Sequence, residues 1–312
     1  MTITQLQYIL AVEKHLNFVE AAEACNISQP ALSMQIKKLE EHLNVKIFDR
    51  SQSPVMITPV GQLILDQAKI TLKDFNQIYN LVINEFDGLQ GEIRLGVIPT
   101  ISPYLLPLFL KNFHEQYPLL QLQIEELTTE KILEGIENGT LDLGILATPL
   151  GSIKLREIPL FYEELMAYVS PENELFEKKY ILSNEIDLNS LWLLEEGHCL
   201  RSQIENFCEL KQKQNIISQL NFKTGSLETI VRLVDKYKGI TLLPELAILD
   251  LNEDQKHKIR RFEGEKPLRE ISLVVDKNYP RQAVLEAFKN SIKQSLPTNI
   301  LTAKPKTILS IN

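Results

Sequence analysis

The sequence predicts two unlike parts: an N-terminal all-α winged helix-turn-helix on a long linker helix, then a C-terminal α/β domain built as two subdomains. Three observations predict it. Short amphipathic helices separated by a tight turn fill the first 60 residues, one uninterrupted helix with a narrow apolar stripe follows, and after Gly91 strand and helix patterns alternate. The expected boundaries are 1–60 for the helix-turn-helix, 61–90 for the linker helix, 91–296 for the α/β domain and 297–312 for a loosely ordered tail. Within the α/β domain, residues of about 91–163 together with 268–296 are expected to form one subdomain and 164–267 the other.

Leu6, Ile9 and Leu10 space a first amphipathic helix, and Val19 to Cys25, with the small pair Ala21 and Ala22, makes a short second one that Asn26 can end. Ser28 is placed as an N-cap before Pro30 in the first turn of a third helix, which runs through Ala31, Leu32, Ile36 and Leu39 to about His42. Val45 to Arg50 and Val55 to Thr58 alternate as two short strands, a wing beside the third helix. Such a unit would put Ser28, Gln29, Pro30, Ser33 and Gln35 toward bases and backbone in the major groove, with Lys37, Lys38, Lys46 and Arg50 toward phosphates. Acidic residues outnumber basic ones within residues 1–60, so one copy should bind DNA weakly.

Thr58 as N-cap and Pro59 as first residue start the linker helix, which meets no breaker until Asp87 and Gly88. Its apolar positions Leu65, Ala68, Leu72, Phe75, Tyr79, Val82 and Phe86 alternate steps of three and four, the spacing of a coiled-coil seam, so pairing with a second copy is expected. A dimer would double the phosphate contacts and read two half-sites.

In the larger part, strands are expected at 92–98, 120–127, 142–147, 165–170, 191–195, 220–224, 239–243 and 271–275, with helices at 103–116, 129–138, 226–236 and 281–295. That alternation implies parallel sheets with helices on their faces and a cleft between the subdomains. Thr100 to Ser102, Thr128 and Thr129, Gly197 to Cys199, and Gly225 and Ser226 each follow a strand and open a helix, where ligands bind in open α/β sheets. Ser and Thr at such junctions also serve simply as helix caps.

Cys199 and Cys208 carry the most chemistry. Cys199 should open a helix beside His198 and Arg201, a positive field that favours the thiolate, whose first product with an oxidant is a sulfenic acid. Cys208 is expected on the apolar face of the same helix. Nine residues of helix separate the two by roughly 13 Å, whereas a disulfide needs Cα atoms within about 7 Å, so any bridge would require local unwinding. From spacing alone the pair reads equally well as one capping residue and one buried small hydrophobe. Cys25 reads as core.

The totals set outer limits. The chain has 312 residues, of which 44% are hydrophobic, enough for two or three domains. With a net charge of −8 the whole chain is not a nucleic-acid binder by composition, so any DNA contact must be local. Three cysteines do not suggest a secreted disulfide framework. The first residues lack a basic region followed by an apolar core, and no run approaches the ~20 apolar residues of a membrane span, so a cytoplasmic location without membrane partners is expected. No cofactor and no metal site is expected.

Phe18 to Ala22, Ser28 to Ser33, Leu39 and Glu40, Leu43, and Phe48 to Arg50 together resemble the LysR-type transcriptional regulators. The likeness covers nearly the whole chain. Ile98 to Thr100, Pro103 to Pro107, Glu196 to Arg201, Cys208, Ser226 to Thr229 and Gly239 to Pro244 are similar to the hydrogen-peroxide-sensing branch of that family, the Gly-His-Cys-Leu-Arg segment with its second cysteine being the specific part. The resemblance implies a regulatory domain of periplasmic-binding-protein type. It also implies that Cys199 is the peroxidatic thiol and Cys208 its disulfide partner, that Thr100, Thr129 and His198 surround the peroxide, and that Gly197, Arg201 and Ser226 support the pocket. The implied partners are promoter DNA, further copies of the chain up to a homotetramer, RNA polymerase, and glutaredoxin or thioredoxin as reductant.

Two other functions fit parts of the pattern. A thiol peroxidase could use the same cysteines to destroy peroxide, which the helix-turn-helix and the heptad helix argue against. A LysR-type regulator with inert cysteines could bind a small metabolite in the cleft. A transport-type solute-binding protein would share the cleft but not the DNA-binding unit.

Overall fold

The structure is a computed structural model, which describes residues 1–52, 54–85, 89–208, 224–264, 266–302 and 308–309. The chain divides into two compact units: Met1–Phe86 with Glu137–Thr140, and Asp87–Ile136 with Leu141–Asn312.

The first unit is built from α1 (Ile3–His15), α2 (Phe18–Ala24), α3 (Gln29–Leu43), β1 (Phe48–Asp49), β2 (Met56–Ile57) and α4 (Pro59–Glu85). Its helices start where side chains can take up the free amide groups. Thr2 and Gln5 form a reciprocal capping box on α1, the Asn17 side chain accepts from Val19 on α2, and the Thr58 hydroxyl accepts from Gly61 on α4 at 2.9 Å. Ser28 occupies the cap position of α3 without a side-chain bond, and Asn26 makes the turn before it with a φ of 55°. Leu6, Ile9, Ala21, Leu32, Ile36 and Leu39 close the core between the three short helices. Buried Glu40 accepts from the amides of Ile47 and Phe48 at 2.8 and 3.2 Å, which holds the wing onto α3.

The start of the expected coiled-coil seam is used within the chain. Leu65, Ala68 and Leu72 are buried in the core of their own unit because α1 packs along the first half of α4. Phe75 is half-buried, while the side chains of Tyr79 and Val82, and Phe86 altogether, lie outside the described residues. Opposite that stripe, at 100° per residue, α4 leaves Leu63, Ile70 and Ile78 exposed at 70, 43 and 59%.

The second unit contains β3 (Gly91–Val97), α5 (Ser102–Gln116), β4 (Leu120–Glu126), α6 (Thr129–Asn138), β5 (Leu143–Thr148), β6 (Leu155–Val169), β7 (Tyr180–Ile181) and α7 (Cys199–Phe207). It continues with α8 (Leu227–Lys236), β8 (Ile240–Pro244), α9 (Glu245–Leu249), α10 (Glu253–Lys256), β9 (Ile259–Phe262), β10 (Leu268–Asp276), α11 (Gln282–Ser295) and α12 (Thr298–Leu301). The strands form one eight-stranded sheet in the order β4-β3-β5-β10-β6-β9-β7, with β8 also on β6.

The sheet is mixed, not parallel throughout as the alternation suggested. β3 runs parallel to β4 and β5, but β10 is antiparallel to β5 and β6, and β6 is antiparallel to β8 and β9. The physical reason is that β6 continues unbroken for 15 residues and β10 for nine, so these two strands belong to both halves and tie them into one sheet. The strand expected at 165–170 begins ten residues earlier, at Leu155, in a stretch to Glu164 that does not alternate in polarity. The strand expected at 191–195 is a single bridge from Leu191 to Ile240, extended by the Thr241 hydroxyl donating to the Trp192 carbonyl. The one expected at 220–224 lies almost wholly outside the described residues. The tail is less loose than expected where it is described: Ile300 is fully buried, and Leu309 donates to the Leu268 carbonyl of β10 at 2.8 Å. Among the described residues no helix is long and apolar enough to cross a membrane.

Candidate functional site

Two strand ends, the turn that opens α7 and one central strand deliver the site. Thr100 lies in the turn after β3, Thr129 begins α6 after β4, and Cys199 begins α7 with His198 as its N-cap; all four are buried. Gly197 turns the chain into this cap with a φ of +93°, a conformation that disfavours any residue with a Cβ. Gly225 leaves room for the imidazole, since a Cβ there would sit 3.0 Å from His198 Nε2. The Thr129 hydroxyl and the Cys199 thiol lie 2.9 Å apart.

Arg269 of β10 completes the site, and nothing near the cysteines in sequence announces it. It stands directly across from Glu163 in the β6–β10 ladder, and both side chains are fully buried. Its Nε donates to Glu163 Oε1 at 2.8 Å, its Nη1 to the Thr100 hydroxyl at 3.2 Å and its Nη2 to the Thr100 carbonyl at 3.3 Å. The signal available in sequence is a charged pair, Arg269 and Glu270, near the start of a largely apolar strand.

The positive field expected from His198 and Arg201 is not how the thiol is served. Burial holds the His198 pKa below its ordinary value, with Glu195 and Glu126 opposing, so the ring is neutral at neutral pH. Arg201 turns away, donating to Glu205 at 2.8 Å and to the Leu194 carbonyl at 3.0 Å. For Cys199, burial pushes the thiol pKa up, and the Thr129 hydrogen bond and the Arg269 charge push back. A titration of the His198 ring by NMR is expected to place its midpoint below the ordinary histidine value. Since the folded value is the lower one, the neutral ring's contribution to stability is present above the ordinary histidine pKa and is lost as pH falls through the folded value.

Cys208 caps the other end of α7, one residue beyond Phe207, and is buried at 5% exposure. Phe207 stacks edge-on against Phe262 of β9 at 4.8 Å. No disulfide joins the two cysteines, and the intact helix stands between them. Cys25 ends α2 half-buried. His198 also lines a cleft of about 430 Å³ with Pro99, Tyr104, Glu126, Thr128, Lys131 and Ser226; Ser226 caps α8 there by accepting from Thr229. Among the described residues no cluster suited to a metal ion is found.

On the helix-turn-helix, Ser28, Gln29, Pro30, Lys37 and Lys38 are exposed at α3. Lys37 lies 3.7 Å from Glu41. Gln35 is engaged with Gln5 of α1 at 3.3 Å, and Arg50 donates to Ser33 at 2.7 Å, pairs with Glu40 at 3.2 Å and stacks on Phe18 at 4.5 Å. These groups therefore shape the α3 surface as well as lining it. Met34, which composition does not single out, is 51% exposed on the same helix.

Residues 3–62 match the bacterial regulatory helix-turn-helix protein, lysR family, and residues 86–297 match the LysR substrate binding domain. The chain belongs to the LysR family. Its larger unit is thus a LysR regulatory domain of periplasmic-binding-protein type. Among LysR relatives, the hydrogen peroxide-inducible genes activator of Haemophilus influenzae is 31% identical over 95% of this chain and 97% of its own length. A full-length OxyR variant from Pseudomonas aeruginosa has a TM-score of 0.76 and 33% identity, covering 95% of this chain and 99% of that one. A peroxide-bound OxyR mutant from Corynebacterium glutamicum has a TM-score of 0.62 and 30% identity, covering 94% and 92%. The LysR chain described here is therefore similar to OxyR across both units.

Proposed function

We propose that this LysR-family chain is a hydrogen-peroxide-responsive, DNA-binding transcriptional regulator of the OxyR kind, switched by a disulfide between Cys199 and Cys208, and not an enzyme. The observation that carries the reading is a buried thiol at a helix start, bonded to Thr129 and facing the Arg269 charge, with a second buried thiol at the far end of the same nine-residue helix. The Cys199 thiolate attacks one peroxide oxygen, forming an S–O bond as the O–O bond breaks; the leaving hydroxide takes up a proton as water. Cys208 then attacks the sulfenic sulfur, forming the S–S bond and releasing the second oxygen as a second water. Because α7 spans the two thiols, the second step requires that helix to unwind, and the loss of its packing is the conformational signal. A dithiol reductant such as glutaredoxin or thioredoxin returns two electrons and restores the helix.

The regulator acts in the cytoplasm on promoter DNA through the exposed start of α3, as a dimer or tetramer, and passes its state to RNA polymerase. The exposed Leu63, Ile70 and Ile78 supply an apolar face for a second copy. Replacing Leu63 and Ile70 together with glutamate is expected to yield a folded monomer by sedimentation, with operator binding weakened more than tenfold, because half of the phosphate contacts go with the partner.

The test is mass-spectrometric thiol mapping of reduced protein after brief exposure to stoichiometric peroxide. A linked Cys199–Cys208 peptide is expected. If both thiols stay free while an alkylating agent still reaches Cys199, the chain is a metabolite-responsive LysR regulator instead. Steady peroxide consumption with excess reductant would make it a thiol peroxidase.

A further inference from the structure

We propose that Glu163 is a positioning residue for the peroxide reaction: it fixes the Arg269 guanidinium against Thr100 and, as its counter-charge, sets how much of that charge reaches Cys199. The proposal rests on the reading of Cys199 as the reacting thiol.

Geometry carries the first half. Glu163 and Arg269 are partners across an antiparallel ladder, so their side chains rise from the same face of the sheet, and neither is exposed to solvent at all. One carboxylate oxygen of Glu163 takes both Arg269 Nε and Nη2 at 2.8 Å. The other accepts the Leu246 amide at 3.0 Å, which anchors the carboxylate to the start of α9. With Nε and Nη2 held this way, the guanidinium plane is set, and its remaining edge meets the hydroxyl and the carbonyl of Thr100. A longer or shorter carboxylate would rotate the fork away from Thr100. Arginine can be oriented like this because its donors are rigidly coplanar.

Charge carries the second half. Electrostatic neighbours of the pair include Tyr104, whose hydroxyl stays protonated near neutrality with a pKa pushed up to about 12 by burial, and Glu245 at the head of α9. His198, adjacent to Cys199 in the chain, has its pKa lowered by burial and so favours the neutral ring. Arg269 is thus the cation that favours the thiolate, and Glu163, paired with it at 2.8 Å, is the counter-charge placed to offset it. A bare guanidinium at this depth would stabilise the thiolate further but would have no fixed place; the paired one gives up field for position.

Two full-length variants separate these roles. Glu163→Gln removes the counter-charge at nearly constant shape. Its alkylation-versus-pH profile at Cys199 is expected to move about one unit to lower pH. Glu163→Asp keeps the charge but withdraws it, so the profile should hold its midpoint while the rate constant for sulfenic acid formation with hydrogen peroxide falls about tenfold through misplacement of Thr100 and Arg269. Circular dichroism establishes that each variant is folded. A folded variant of either kind with both the wild-type profile and the wild-type peroxide rate would overturn the proposal, reducing the pair to a structural ion pair. Failure of both variants to fold would overturn it equally, since the carboxylate's role would then be inseparable from folding.

Discussion

Replacing Cys199 with serine is expected to abolish every peroxide-dependent change while leaving reduced-form DNA binding intact. The hydroxyl can keep the bond to Thr129, it adds no volume, and the residue sits at the head of α7 and not inside it, so stability should change by no more than ~1 kcal/mol. What disappears is the nucleophile. Thiol mapping of this variant should find Cys208 free after peroxide treatment, and the operator footprint should be the same with and without oxidant. A footprint that still shifts would place the sensor elsewhere in the chain. Cys208→Ser offers the complementary outcome: a sulfenic acid that accumulates at Cys199, is trapped by a dimedone-type reagent, and leaves α7 helical.

Arg269→Met is expected to destabilise the regulatory domain strongly. It leaves Glu163 fully buried with only the Leu246 amide as partner, a situation that costs ~3–5 kcal/mol. Burial already holds the Glu163 carboxyl above the usual carboxylate range, even with Arg269 lowering it. Without Arg269 the folded value rises further. A folded-state value above the unfolded one means that stability is kept at low pH, where the acid is protonated in both states, and is lost as pH rises through the folded value. The melting temperature of the variant should therefore lag the wild type more at pH 7.5 than at pH 5. Adding Glu163→Leu should recover most of the loss, because an apolar pair of similar volume leaves no stranded charge. A single variant as stable as wild type at both pH values would remove the buried pair from any account of this fold.

Local signals in the sequence were strong and mostly sufficient. Caps at Ser28 and Thr58, Pro30 in a first turn, and the i, i+3, i+4 spacing of Leu32, Ile36 and Leu39 place α3 and α4 within a residue or two. The cysteine-bearing segment is equally readable, because a helix start and a reactive thiol are properties of adjacent residues. What could not be read is whatever depends on residues far apart. The parallel-sheet expectation failed on β6 and β10, strands whose partners lie about 100 residues away and whose direction no local pattern encodes. For the same reason the cation at Cys199 was assigned to its sequence neighbours His198 and Arg201, when the ladder supplies Arg269 from 70 positions downstream. The stripe on α4 shows a different limit. Steps of three and four establish that one face is apolar, but not whether α1 or a second chain covers it, and Leu65, Ala68 and Leu72 are covered by α1.

The order of strands in the sheet also governs how the sensor comes into being. Among the described residues β10 is the last strand, yet it lies in the middle of the sheet, paired with β5 on one side and β6 on the other. During synthesis both cysteines leave the ribosome before β10 exists, and until it inserts, β5 and β6 present two long unpaired edges of the kind that invite aggregation. Arg269 arrives with that strand. A nascent or truncated chain without β10 therefore carries both cysteines but lacks the Arg269 charge that acts on Cys199.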